Sequence, residues 1–193
     1  MKLSVAISLV LAAACTAPAI AQSAPSAIWE VGAGYNFVHT NAPPTGCGCF
    51  SMNGGVASVN RQLTPSFSLV GEFNGIANGN VNASGHSLTL LTYLAGPRYR
   101  YVPSHGRLSP YGQILVGGAH ASGGLYAPAG SSTGTANAFA TSIGGGVDLS
   151  LSPRFSFRVV QADYLLTLLP NSVNSRQNNV SLSTGVILRF GSR

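Results

Sequence analysis

The stretch Asn179–Phe190, read N-V-S-L-S-T-G-V-I-L-R-F, constrains the fold more than any other part of the chain. Side chains alternate faces along an extended strand. Val180, Leu182, Thr184, Val186, Leu188 and Phe190 then share one face, and Asn179, Ser181, Ser183, Gly185, Ile187 and Arg189 share the other. One face is greasy and the other small or polar, and many earlier segments repeat that dyad. The pattern predicts a closed barrel in a membrane, with the apolar face toward lipid and the polar face toward the lumen.

Charge composition separates this reading from a soluble fold. Only 7% of the residues are charged, against about 25% in a typical soluble domain. A lipocalin-type secreted barrel would turn the greasy faces inward and place its acids on the surface, which so little charge does not suit. Hydrophobic residues make up 45% of the chain, too many for disorder. The net charge of +6 is scattered along the sequence without a basic cluster, which argues against nucleic-acid binding.

The N-terminus reads as a secretory signal. Lys2 is followed by the apolar run Leu3–Ala14 and by Ala19-Ile20-Ala21, a small-x-small cleavage site. Cleavage is expected after Ala21, leaving 22–193 as the barrel domain. Lipid attachment at Cys15 is the rival, but Leu11 stands one place too early for a lipoprotein box. After Ala21 no apolar run reaches the ~18 residues of a membrane helix. A spanning chain without such a helix must close into a barrel, because lipid cannot satisfy open strand edges.

Eight strands are predicted. Trp29–Val38 puts Trp29, Val31, Ala33, Tyr35 and Phe37 outward and Glu30 inward. Phe50–Asn60 has ambiguous facing, read with Met52, Gly54 and Val56 outward. Phe67–Asn74 places Glu72 inward. Leu88–Tyr101 places Arg98 and Arg100 inward, with a bulge expected where Pro97 removes a ladder donor. Pro110–Ala119 turns Gln113 inward, and Asn137–Leu149 turns Asp148 inward. In Phe155–Thr167, Arg158 faces in, yet strict alternation would send Asp163 into lipid. A one-residue bulge between Val159 and Gln161 is predicted to return Gln161 and Asp163 to the lumen. The strand Asn179–Phe190 closes the set. Eight strands of about 10 residues use about 80 residues, and an even number puts both termini on the periplasmic side. Trp29, Phe67, Tyr99, Tyr101, Phe155, Phe157 and Phe190 are expected to form an interfacial girdle there.

Eight charges thereby fall on the inner face: Glu30, Glu72, Arg98, Arg100, Asp148, Arg158, Asp163 and Arg189. A barrel of eight strands is about filled by its own side chains, so these groups should pair. The primary reading is a structural salt-bridge plug, and the alternative is a gated ion path through rearranging pairs. Catalysis has little support. His86 and Ser87 are adjacent in an extended segment and so face opposite ways, and every acid is assigned to the lumen. His39, Cys47, Cys49, His86 and His120 gather at the predicted extracellular rim, where soft ligands could hold zinc or copper. Cys-x-Cys spacing alone is a weak signal, and no metal or other cofactor is expected.

Several phrases carry a family resemblance. Leu94-Ala95-Gly96-Pro97-Arg98-Tyr99, Gly144-Gly145-Gly146-Val147-Asp148, Arg158-Val159-Val160-Gln161-Ala162-Asp163-Tyr164-Leu165 and the closing strand resemble the OmpA/OmpX-like small barrels of the bacterial outer membrane. The resemblance implies an all-β, eight-stranded antiparallel up-and-down transmembrane barrel with lumenal Arg/acid pairs. It also implies a monomer that contacts outer-membrane lipids and lipopolysaccharide and is inserted by the barrel assembly machinery. Phe190 is not the last residue, a departure from the assembly signal of that family. The peptidoglycan-binding domain of full-length OmpA proteins has no counterpart before Arg193, so cell-wall anchoring is not carried over. The function expected is structural or surface-interacting, without catalysis. A narrow passive porin-like channel is the alternative, and a lipid-modifying enzyme is third.

Overall fold

A computed structural model describes residues 28–40, 49–83, 87–104, 106–123, 134–170 and 175–191. The expected signal peptide, Cys15, Cys47 and His86 lie outside these residues. Eight strands form: β1 (Trp29–Thr40), β2 (Phe50–Gln62), β3 (Phe67–Asn78), β4 (Leu88–Arg100), β5 (Leu108–Ser122), β6 (Thr135–Ser150), β7 (Phe155–Thr167) and β8 (Gln177–Phe190). Each pairs antiparallel with the next. Closure comes from β1 on β8, with Trp29 opposite Phe190 and Thr40 opposite Asn179. The shortest strands, of 12 residues, rise about 30 Å when tilted about 40°, enough to cross a hydrocarbon core.

Short connections mark one end of the barrel. Leu63-Thr64-Pro65-Ser66 and Leu151-Ser152-Pro153-Arg154 are built alike. The Thr64 and Ser152 hydroxyls accept hydrogen bonds from the N–H groups of Phe67 and Phe155 at 2.9 and 3.1 Å. The same two residues donate their own N–H groups back to the Phe67 and Phe155 carbonyls. Each serine or threonine hydroxyl thus substitutes for a backbone partner and pins the turn. This is called the turn end below, and the opposite end the loop end.

Burial alternates as the dyad requires. Val31, Tyr35, Phe73, Tyr93, Ile114, Ile143, Val180 and Leu188 are exposed on the outer wall, while all four acids are buried. Gly118 also faces outward, but the Tyr93 ring lies over it, 2.5 Å from where a Cβ would stand. The aromatic residues Trp29, Phe67, Tyr99, Tyr101, Phe157 and Phe190 are exposed around the turn end.

The predicted bulge is present in β7. Val147 pairs with Val160 and Asp148 with Arg158, leaving Val159 as the extra residue. The β7–β8 ladder shifts at the same place, between Arg158 and Gln161. Val159 and Val160 consequently both face out, at 43% and 42% exposure, while Gln161 and Asp163 are buried. The cost of two polar groups in lipid exceeds that of one lost rung, so the bulge wins.

Four expectations need correction. Met52 faces inward and is buried, with Gly54 and Val56 on its side, while Asn53, Gly55, Ala57 and Val59 face out. The register with β1 decides this, setting Val31 opposite Val59 and Ala33 opposite Ala57. Second, Pro97 makes no bulge. The ladder to β5 skips Gly96 and Pro97 and resumes at Arg98–Gln113 in the same register, while the β3 side runs unbroken through Leu69–Pro97. Missing rungs on one seam accommodate the absent donor without re-phasing the strand. Third, β1, β2, β3, β5, β6 and β8 run past their expected bounds, because strand pairing continues beyond the apolar band where polar residues and glycine are tolerated. Fourth, the lumen is not polar throughout. Val38, Phe50, Met52, Ile76, Leu88, Leu90, Leu115 and Leu165 pack together inside it, joined by Val81 from a 3₁₀ turn at Val81–Ala83. That tier dominates the loop-end half, with Thr40, Thr92, Thr167, Gln177 and Asn179 buried beside it, and the charges occupy the turn-end half.

Candidate functional site: the charged lumen

The inward parity of each strand delivers the polar residues to the turn-end half of the lumen. Glu30 is the most connected. Its carboxylate accepts from Arg100 Nη1 and Nη2 at 2.8 and 2.9 Å, from Arg189 Nε at 2.9 Å and from Asn60 Nδ2 at 2.7 Å. Arg189 reaches it from the neighbouring strand, directly opposite in register. Arg100 reaches it across the lumen from β4. Arg100 also donates to Asp148 at 3.2 Å, and Asp148 accepts from Arg158 Nε at 3.0 Å. These ion pairs are almost wholly withdrawn from solvent, with Asp148 at 0% exposure.

The remaining charges are linked through amides. Arg158 Nη1 donates to Gln161 Oε1 at 2.7 Å. Gln161 Nε2 then donates to both Glu72 at 3.0 Å and Asp163 at 2.6 Å. Gln113 bridges the other side, accepting from Arg98 at 2.6 and 3.0 Å and donating to Asp163 at 3.2 Å. Asn74 supports Glu72, Asn36 supports Asn74, and Ser181 supports Asn36. All eight charges named from the sequence therefore belong to one hydrogen-bonded chain. Direct ion pairs join Glu30 and Asp148 to three of the arginines, whereas Glu72 and Asp163 are held by amides.

Tyr111 stands at the centre. Arg98 lies over its ring at 4.3 Å and Arg158 at 5.0 Å, and its hydroxyl donates to Gln161 at 2.7 Å. The ring supplies a negative face to two guanidinium groups in a space with four acids already engaged. Room for it comes from Gly146, where a Cβ would meet the Tyr111 hydroxyl at 2.7 Å. Gly144 likewise leaves space for the Asp163 carboxylate. The mid-strand Gly144-Gly145-Gly146 run thus makes space inside a narrow barrel.

Gln113 and Gln161 are expected inside from the sequence, but their bridging role, and the presence of Tyr111 beside them, are not. Their inward parity was readable, since Tyr111 and Gln113 flank Gly112 in β5, but neutral groups carry no pairing demand that would single them out.

The rim residues behave differently. His39 on β1 faces outward and meets Ser51 Oγ at 3.1 Å. His120 on β5 meets Asn137 Oδ1 at 2.7 Å. The two strands stand four apart in a ring of eight, on opposite sides of the barrel, so these histidines cannot share an ion. Cys49 is exposed beside the start of β2. Among the described residues no group of three or more His, Cys, Asp or Glu could hold a metal; Cys47 and His86 of the candidate rim lie outside those residues.

A closed eight-stranded antiparallel barrel, apolar outside and with its acids enclosed, is the architecture of small outer-membrane proteins. The outer membrane protein beta-barrel domain matches residues 7–190. The chain belongs to that family. Among solved structures of the same fold is Neisserial surface protein A, with a TM-score of 0.64 at 17% identity, covering 84% of this chain and 97% of that one. Ail, the attachment invasion locus protein of Yersinia pestis, aligns with a TM-score of 0.54 at 16% identity, covering 84% and 98%. Ail in complex with the heparin analogue sucrose octasulfate gives 0.56 at 14%, covering 85% and 99%. At these identities the likeness is one of fold. Comparison with curated protein sequences yields no match. As a family member the chain is an outer-membrane β-barrel, and what distinguishes it within the family rests on its own lumen and ends.

Proposed function

We propose that this barrel is a non-conducting, non-catalytic structural or surface-contact protein, sealed by two stacked interior tiers. The observation that carries the reading is the apolar tier above the ionic chain. An ion that passed the arginines would next meet Met52, Leu90, Leu115 and Leu165, among which the scattered neutral groups Thr92, Thr167 and Asn179 are too few to replace its water. Between the tiers, Asn36, Glu72, Leu94, Ser142 and Leu165 border a void of about 10 Å³, room for about one water. Rearranging the ion pairs would leave that apolar seal in place, so the seal argues against the gated path as well as against an open channel.

In this reading both termini and the turn end face the periplasm, as short turns do in such barrels. The loops face outward, where lipopolysaccharide and surface partners would meet them. The protein acts as a monomer, and the assembly machinery inserts it through its closing strand. All four acids are buried and hydrogen-bonded inside the lumen, which supports a role without turnover.

Planar-bilayer recording tests the seal. Wild type and Arg158→Ala are both expected to be silent, since the apolar tier remains when the ionic one is weakened. Reproducible single-channel steps from folded wild-type protein would contradict the proposal, and steps from Arg158→Ala alone would assign the seal to the ionic tier.

A further inference from the structure

The geometry points to a binding site for a phosphate-bearing anion in the vestibule at the turn end. A cavity of about 610 Å³ opens there, within the size range of small-molecule sites. Arg100, Arg107, Arg154 and Arg189 line it together with Ser109 and Ser150, and no carboxylate does. Its inner end is the Arg100–Glu30–Arg189 part of the ionic chain, so it is a dead end and not a passage.

Charge accounting makes the vestibule basic. The four acids of the chain are matched in number by Arg98, Arg100, Arg158 and Arg189 inside the lumen. Arg107 and Arg154 have no acid left to pair with and stand exposed at the mouth. They are held in place from the backbone: Ser150 N–H donates to the Arg107 carbonyl at 2.8 Å, and Arg189 N–H donates to the Arg154 carbonyl at 2.9 Å. A second, independent sign lies deeper. Arg100 is 5% exposed, yet its Nε has no hydrogen-bond partner. A buried donor left unmade is costly, and an anion oxygen in the vestibule would satisfy it.

The guanidinium fork matches two oxygens of a phosphate group. Arg107 and Arg154 present such forks to the space, and Arg100, whose own fork is held by Glu30, adds its unpartnered Nε. A phosphate ester suits this arrangement better than a halide, which offers no paired oxygens. Ile28, Val102 and Leu151 form an apolar part of the lining beside the aromatic girdle. Both a soluble phosphate ester and the headgroup of an anionic phospholipid could therefore supply the phosphate. That the supply is periplasmic rests on the orientation given above; the binding itself does not.

The test uses folded protein in neutral detergent, so sidedness plays no part. Calorimetric titration with glycerol 3-phosphate measures the soluble source. Native mass spectrometry after addition of phosphatidylglycerol or phosphatidylcholine measures the lipid source. Arg107→Gln with Arg154→Gln is expected to weaken binding at least about tenfold per arginine removed, while Arg176→Gln at the loop end leaves it unchanged. Both variants should keep the wild-type heat-modifiable band, because these arginines are exposed. Binding of phosphatidylglycerol without glycerol 3-phosphate assigns the headgroup as ligand, and the reverse assigns a soluble ester. Binding of neither probe by wild type, or equal loss in the Arg176→Gln control, overturns the site. Protease access to the turns in intact cells separately tests the orientation, so the two failures are distinguishable.

Discussion

Glu30→Ala is expected to destabilise the folded barrel by about 3–5 kcal/mol, the cost of removing one partner from a buried ion pair. The carboxylate accepts four hydrogen bonds from three residues. Its removal leaves Arg100 leaning on Asp148 alone and leaves Arg189 with an unmatched charge. The pair is not thereby worth that much in the native protein, since desolvating it offsets most of its attraction. The damage comes from the stranded guanidinium groups. Glu30→Gln keeps the volume and the oxygen acceptor, so it should fall between wild type and alanine. Urea unfolding of protein refolded into lipid vesicles, read from the folded and unfolded bands on gels, checks this. A shift below about 1 kcal/mol for the alanine variant would mean that water reaches the network and solvates the orphans.

Deletion of Val159 and Val160 together is the second large effect. It joins Arg158 directly to Gln161, two residues that both face inward across the bulge. Regular alternation then requires that either Phe155–Arg158 or Gln161–Thr167 turn inside out. The first choice sends Arg158 into lipid and two phenylalanines into the lumen; the second sends Gln161 and Asp163 outward and uncouples Glu72. An arginine at mid-depth alone costs about 2–4 kcal/mol, and the network bonds of the displaced residues are lost as well. No folded band is expected. Deletion of Val159 alone removes the extra residue and leaves Arg158 in, Val160 out and Gln161 in, so it keeps the phase and should fold. A folded, heat-modifiable barrel from the double deletion would show that β7 can slip without regard to its facing.

The bulge could be anticipated because Asp163 is a strong constraint: a charged group with a forbidden side leaves one local solution. The outer wall was readable for the same reason in β1, β3, β6 and β8, where polar inward residues contrast with apolar outward ones. That contrast disappears at the loop end. Phe50, Met52, Leu88 and Leu90 are apolar and inward, so parity read from hydrophobicity alone turns β2 the wrong way and misses the seal. Hydrophobicity reports burial, and lipid and an apolar core satisfy it equally. Membership of the eight lumenal charges followed from parity, but their partners did not. Glu30–Arg100 spans β1 to β4 and Gln161–Glu72 spans β7 to β3. Such contacts depend on tilt and stagger around the closed ring, which no single strand encodes. The amide bridges through Gln113 and Gln161 were equally hidden, since an amide can serve either sign of charge.

The central claim is that hydrocarbon bathes one face of every strand while the ionic groups are shut inside. Nitroxide scanning along β7, from Ser156 to Tyr164 in bilayers with the native cysteines replaced, tests it most directly. Collision with oxygen should be high and with an aqueous nickel chelate low at positions 157, 159, 160, 162 and 164, with both low at 156, 158, 161 and 163. The break in period must fall between 159 and 160. Nickel-chelate access at 157 or 164, or unbroken alternation through 160, would contradict the account.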